Sequence, residues 1–232
     1  PCNADFVPPP PEMVVELLQD LCHFMNRDDL PALAQAAIAH AQFETIHPYI
    51  DGNGRTGRAL IHVVLHRRSS VQTFVPPISL ALATESARYV AGLMRYRYVG
   101  KPGSRSARDG LQDWLDVFIA ATRRSVADAE QLSNDMTDLE NQWRSKLASR
   151  RNSTAQRSLI YLLSHPVMAV EDLAEFAGVS FQAANNASAE LVEAGIIKPL
   201  GSASRNRIFE STSVFELLTK YERSLATLSG DT

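Results

Sequence analysis

The sequence predicts a mainly α-helical chain of two domains, a larger one over residues 1–150 and a smaller one over 151–232. Apolar residues recur at three- and four-residue spacing along most of the chain, the mark of helices with one buried face. Only one segment, "IIKPLGSASRNRIFE", alternates around a Gly-Ser turn as a strand pair does. A long, polar, weakly apolar stretch also gives way near "SRRNST" to a new pattern of short elements, which sets the domain boundary. With 45% hydrophobic and 21% charged residues in 232, there is enough apolar side chain for a sizeable core.

After a stiff "FVPPPP" leader (Phe6 to Pro11), Met13, Val14, Leu17, Leu18, Leu21 and Phe24 fall on one face of a first helix. A second helix follows Asp28, Asp29 and Pro31, turns Leu33, Ala37, Ile38 and Ile46 inward, and runs directly into His47. The run "RTGRALIHVVLH" reads as a core helix starting where a glycine cluster ends, with Leu60, Ile61, Val64 and Leu65 inward. Pro76 and Pro77 break the chain before a single helix from about Ser79 to Tyr98. "VGKPGSRSARDG" reads as a loop, and a further helix carries Leu111, Trp114, Leu115, Phe118 and Ile119 on towards Ser149.

In the second domain Thr154 to Leu163 is an amphipathic helix, "AVEDLAEFAG" a short helix ended by Gly178, and Ser180 caps a third helix ended by Gly195. Three helices followed by a hairpin resemble a small winged helix-turn-helix domain. That fold often reads DNA, yet the third helix offers Gln182, Asn185 and Asn186 without a lysine or arginine, and residues 151–232 carry seven basic against nine acidic side chains. Arg205 and Arg207 could touch phosphate from the wing. The charge balance favours a protein-docking or homodimer-forming module over DNA binding.

The net charge of −3 gives no global attraction to nucleic acid or an anionic membrane, and no apolar run reaches a membrane span. Cys2 and Cys22 form neither a metal nor a disulfide spacing, which favours the cytoplasm. The chain opens at Pro1 without methionine, which suggests that upstream residues are absent.

The chemistry concentrates in "HPYIDGNGRTGR", residues 47 to 58. Gly52, Gly54 and Gly57 let the backbone turn tightly and approach a ligand, and the turn feeds the start of a helix, whose free N–H groups and dipole attract anions. Arg55 and Arg58, one helical turn apart, add fixed positive charge and forked donors. Asp51 is a hard oxygen ligand suited to Mg²⁺ that also bridges phosphate oxygens. His47 is the one group here whose ordinary pKa lets it take a proton near neutrality. Together these residues point to attack of a hydroxyl on a nucleotide phosphate.

The stretch resembles the Fic-family signature H-x-[FY]-x-[DE]-G-N-G-R-x-x-R at every defined position, with Tyr49 where phenylalanine is commoner. "FVPPPP", "AHAQFETIHPY" and "PPISLAL" are similar to its flanking segments, so the resemblance covers roughly residues 1 to 145. It implies a helical Fic domain that transfers AMP from ATP to a Ser, Thr or Tyr hydroxyl of a target protein. It further implies His47 as general base, Asp51 as Mg²⁺ ligand, and Gly52, Asn53 and Gly54 as the phosphate-binding loop. Arg55 would hold the α- and β-phosphates and Arg58 the γ-phosphate. Transfer of UMP or phosphate, removal of AMP, or a nucleotide-sensing transcription regulator are the alternatives.

Many Fic proteins also carry an inhibitory helix, [ST]-x-x-x-E-[GN]. Thr212 to Leu217 has Glu216 at the right spacing but Leu217 in the last place, and "TDLEN" from Thr137 is one residue short, so the resemblance places such a helix upstream of Pro1. His23, His40, His62, His66 and His165 read first as caps or satisfied polar groups. His40, seven positions before His47 on the same helix face, is a candidate to support it.

Overall fold

In the computed structural model residues 6–70, 77–98, 100–148, 150, 152–201 and 207–226 are described. Ten helices and three short strands follow one another among them: α1 (Pro11–Met25), α2 (Ala32–Ile46), α3 (Asn53–Arg67), α4 (Ile78–Thr84), α5 (Ser86–Tyr96), α6 (Arg105–Lys146), α7 (Thr154–Ser164), β1 (Val167–Ala169), α8 (Val170–Ala177), α9 (Phe181–Glu193), β2 (Lys198–Leu200), β3 (Ile208–Glu210) and α10 (Thr212–Ala226). The fold is mainly helical, as predicted. None of the described helices is long and apolar enough to cross a membrane. By compactness the chain divides into one unit up to Ala127 and another from Asp128. Trp143 and Leu147, which precede the predicted boundary, are buried with the second unit's core.

The first unit is built around α2. Gln35, Ala36, Ala37, Ala39, His40, Ala41, Phe43, Glu44 and Ile46 are all buried, so this helix is enclosed on more than the one face the sequence suggested. Its alanines let neighbouring helices approach closely. α3 packs along it through Ile61, Val64 and Leu65, and Leu21 of α1 joins the same core. From α6, Trp114 and Phe118 are fully buried, and Trp114 Nε1 donates to the Ala37 carbonyl at 2.8 Å.

Two predicted boundaries differ. The helix expected from Ser79 to Tyr98 is two, broken where Glu85 leaves helical dihedrals (φ −97, ψ 46) while its carboxylate meets Arg88 and Arg124 at 3.4 and 3.5 Å. No proline or glycine marks that break. Pro76 lies outside the described residues. The expected loop at 99–110 is shorter, because Ser104 Oγ accepts the Ala107 N–H at 3.2 Å and starts α6 at Arg105. Gly110 is therefore a helical glycine, admitted because a Cβ there would lie 2.1 Å from the Arg95 carbonyl oxygen.

In the second unit α7 and α9 begin at the side-chain caps Ser153 and Ser180, while α8 ends at left-handed Gly178 (φ 62). β3 pairs antiparallel with both β1 and β2, giving the order β1-β3-β2. Leu159, Leu162, Met168, Leu173, Leu191 and Phe209 form the core together with Trp143. The three helices and the strand pair stand where the sequence put them. β1 and α10 are additional, and Arg205 lies outside the described residues.

Candidate active site

The signature residues occupy the end of α2, a short turn and the first two turns of α3. α2 stops at His47, whose backbone is left-handed (φ 48, ψ 58) and whose N–H donates to the Phe43 carbonyl at 2.9 Å. A non-glycine residue adopts this region at a cost and keeps it only where its surroundings hold it there. His47 is an exposed residue.

The turn is held by Asn53. Its Nδ2 donates to the Tyr49 carbonyl at 2.6 Å and its Oδ1 accepts the Tyr49 N–H at 2.9 Å, so one buried amide (3% exposed) grips both polar groups of one residue. With Gly52 left-handed at φ 90, α3 starts at Asn53 rather than after the glycines. The sequence put these residues in a turn and gave three glycines to a ligand. Gly54 instead lies within the helix, as does Gly57, which the run "RTGRALIHVVLH" already placed there. Gly57 faces α2, where a Cβ would meet Glu44 Oε1 at 2.7 Å, Phe43 Cδ1 at 3.1 Å and His40 Nδ1 at 3.2 Å.

The Asn53 side chain is committed to Tyr49, which leaves backbone N–H groups as what this segment can offer an anion. The Thr56 N–H takes the Gly52 carbonyl at 3.0 Å, while those of Asn53, Gly54 and Arg55 precede any helical acceptor. Asp51 Oδ1 accepts the Gly52 N–H at 2.7 Å, and Asp51 Oδ2 meets Arg55 Nη2 at 3.2 Å. Both partners of that ion pair are exposed, 91% for the Asp51 side chain, so water screens it and a ligand can replace it. Arg58 lies beside Gly54, where a Cβ would be 3.0 Å from its Nη1.

Beneath the turn sits a buried polar cluster that the sequence did not reveal. Glu44 is 7% exposed and its Oε1 has no hydrogen-bond partner. Burial raises its carboxyl pKa, opposed by the neighbouring His47, Arg58 and Arg97. His40 Nε2 shares a hydrogen bond with the Tyr89 hydroxyl at 3.0 Å, and burial pushes its pKa down to about 4, so it is neutral near pH 7. Its contacts run to Tyr89 and the Trp114 ring. The support suggested for His47 is not among them. An acidic residue one position after Phe43 and two before Ile46, on a helix rich in alanine, was the available sequence signal for this cluster.

A cavity of about 470 Å³ opens on another face of α2, lined among others by Ile38, Gln42, Tyr96, Arg97 and Arg108. It contains none of the signature side chains. The cavity is therefore separate from the signature turn.

The sequence profile of the Fic/DOC family matches residues 2–65, which include the whole of the turn. Over those residues the chain is similar to the Fic/DOC family. It is 34% identical over 89 residues to "Protein adenylyltransferase fic-1" of Caenorhabditis elegans, covering 37% of this chain and 16% of that protein. It is 40% identical over 64 residues to "Probable protein adenylyltransferase aq_aa38" of Aquifex aeolicus (strain VF5), covering 27% and 20%. It is 32% identical over 119 residues to "Protein adenylyltransferase Fic" of Drosophila grimshawi, covering 50% and 24%. The matches thus span a quarter or less of those relatives' lengths. A crystal structure of a Fic family protein from Desulfovibrio desulfuricans G20 aligns over 88% of this chain and 56% of that one, at 20% identity and a TM-score of 0.42.

Proposed function

We propose that this protein transfers AMP from ATP to a hydroxyl side chain of a target protein, with His47 as general base. The observation that carries the proposal is the single turn from His47 to Asn53, which joins an exposed histidine to a helix start whose first N–H groups precede any helical acceptor. Those N–H groups, with Arg55 and Arg58, bind and orient the triphosphate. The target oxygen attacks the α-phosphorus while His47 takes its proton, and the bond to the β-phosphate oxygen breaks to release pyrophosphate.

Among the described residues no three His, Cys, Asp or Glu side chains gather into a metal cage. The single exposed carboxylate of Asp51 fits a Mg²⁺ ion that takes its remaining ligands from phosphate and water. Such an ion would supply neutralisation of phosphate charge. Asp51 would hold it, and Arg55, which pairs with Asp51 in this structure, would then be free to bind the phosphates.

The second unit reads as a winged helix that docks a protein partner or a second copy of the chain. The order helix, strand, two helices and strand pair supports that fold. Its α9 amides are engaged within the protein: Gln182 Nε2 donates to Asn186 Oδ1 at 2.9 Å, and Arg207 donates to Asn185 Oδ1. Side chains so occupied are poorly placed to read base edges. Tight, salt-sensitive binding of the whole chain to duplex DNA would favour the regulator reading instead.

The test of the activity uses ATP labelled at either phosphorus, Mg²⁺ and a cell lysate. Label from the α-position should enter protein and label from the γ-position should not. Transfer of the γ-label, or of neither, contradicts the proposal.

A further inference from the structure

The carbonyl of Glu44 is left without its ordinary helical donor, because the residue four positions on is Pro48, which has no N–H. This happens in the last turn of α2, three residues before His47, where the chain passes into the left-handed region. A buried carbonyl left unpaired here would weaken the turn from which His47 projects.

Arg97, just after α5, fills the gap. Its Nη2 donates to the Glu44 carbonyl at 2.7 Å, and its Nε donates to Thr45 Oγ1 at 3.2 Å. Thr45 Oγ1 in turn donates to the Ala41 carbonyl at 2.8 Å, so one guanidinium engages two successive residues of the last turn. Its third nitrogen, Nη1, lies 3.8 Å from Met94 Sδ. The Phe6 ring covers its face, with the guanidinium carbon 3.7 Å from the ring centroid. A planar cation with several fixed donors suits such a site, and the flexible ammonium of lysine matches it only in part.

We infer that Arg97 is a positioning residue for His47, supplying the donor that Pro48 lacks and fixing the end of α2 so that His47 keeps its left-handed conformation. Its bearing on catalysis rests on His47 being the base, as proposed above. Arg97 touches no reacting atom and acts through the main chain of Glu44 and Thr45. The Phe6 ring on the guanidinium extends the clamp to the start of the Pro-rich leader.

The test compares the whole chain with Arg97→Met, which keeps the side-chain stem and removes the donors, and with Arg97→Lys. Three quantities are read: exchange of the His47 amide hydrogen by NMR, the Kd for ATP with Mg²⁺, and the rate of AMP transfer at saturating ATP. Arg97→Met should speed His47 exchange tenfold or more and slow transfer by a similar factor, with the Kd for ATP changed less than twofold. Arg97→Lys should recover part of both losses. Unchanged His47 exchange, or a loss of ATP affinity as large as the loss of rate, overturns the inference. Should the methionine variant fail to fold, the lysine variant reads the same three quantities. The exchange measurement needs no turnover, so faster exchange in a chain that transfers nothing would sink the proposed function and leave the clamp standing.

Discussion

Gly57 of α3 lies so close to Glu44 of α2 that a Cβ on the glycine would stand 2.7 Å from the carboxylate oxygen Oε1. Alanine there gains up to about 1 kcal/mol of helix propensity but overpacks a buried contact at a cost of about 1–3 kcal/mol. Gly57→Ala should therefore lose about 1–2 kcal/mol in urea unfolding. Gly110→Ala should lose more, at least about 2 kcal/mol, because its new Cβ meets main chain at 2.1 Å rather than a side chain that can swing away. A stabilised Gly110→Ala protein would show that the approach of α6 to the Arg95 carbonyl is not as close as described.

Acid should destabilise the chain through His40. Its folded pKa, about 4, lies below the ordinary 6.5, so the unfolded ring takes a proton that the folded ring refuses. The contribution is fully present above pH 6.5 and is lost as pH falls towards about 4. Glu44 opposes it, since its raised carboxyl pKa makes the folded chain the first to bind a proton in the carboxyl range. His40→Gln isolates the effect: between pH 7 and pH 5 the unsubstituted chain should lose up to about 2 kcal/mol more than the variant. Equal losses would mean that His40 is not held neutral.

Much of the fold was legible because buried helices leave an apolar period. Met13 to Phe24 and Leu60 to Leu65 announce α1 and α3, and Ser180 with Gly195 brackets α9. The break at Glu85 was not, for its visible correlate is a pair of arginine contacts, one from Arg124, 39 residues away. Gly110 misled as a loop marker because a glycine that permits a close helix contact is spelled like one that permits a turn. At the candidate site, the spacing of His47, Asp51, Arg55 and Arg58 told that they gather at one turn between two helices, and their roles there are proposed. The grip of Asn53 on Tyr49 and the donation of Arg97 to Glu44 were not, since each is a tertiary or turn-specific bond carried by an ordinary polar residue. Only Pro48 hinted that a carbonyl would need an outside donor.

The division into two domains can be read with the chain's two tryptophans, since Trp114 lies in one buried cluster and Trp143 in the other. Trp143→Phe leaves a reporter of the first core, and Trp114→Phe leaves one of the second. Each substitution shifts stability too, so both are followed together with circular dichroism of the same sample. Two domains should give a fluorescence transition in each variant that spans only part of the circular-dichroism change. Coincident transitions in both would mean one cooperative unit.

Asp51→Asn should leave the fold intact, because the carboxylate is exposed and its bond to the Gly52 N–H survives with an amide oxygen. It should weaken Mg²⁺-dependent ATP binding or turnover by tenfold or more, an effect read by titrating the metal at fixed ATP. A variant whose metal titration matches that of the unsubstituted chain would remove Asp51 from the metal site.

The most direct measurement compares His47→Ala with the unsubstituted chain for ATP affinity and for AMP transfer under the same conditions. With His47 as the base that accepts the attacking hydroxyl's proton, transfer should fall by about 10²-fold or more while the Kd for ATP stays within a few-fold. Equal loss of binding and transfer, or transfer that persists without the imidazole, would contradict that role.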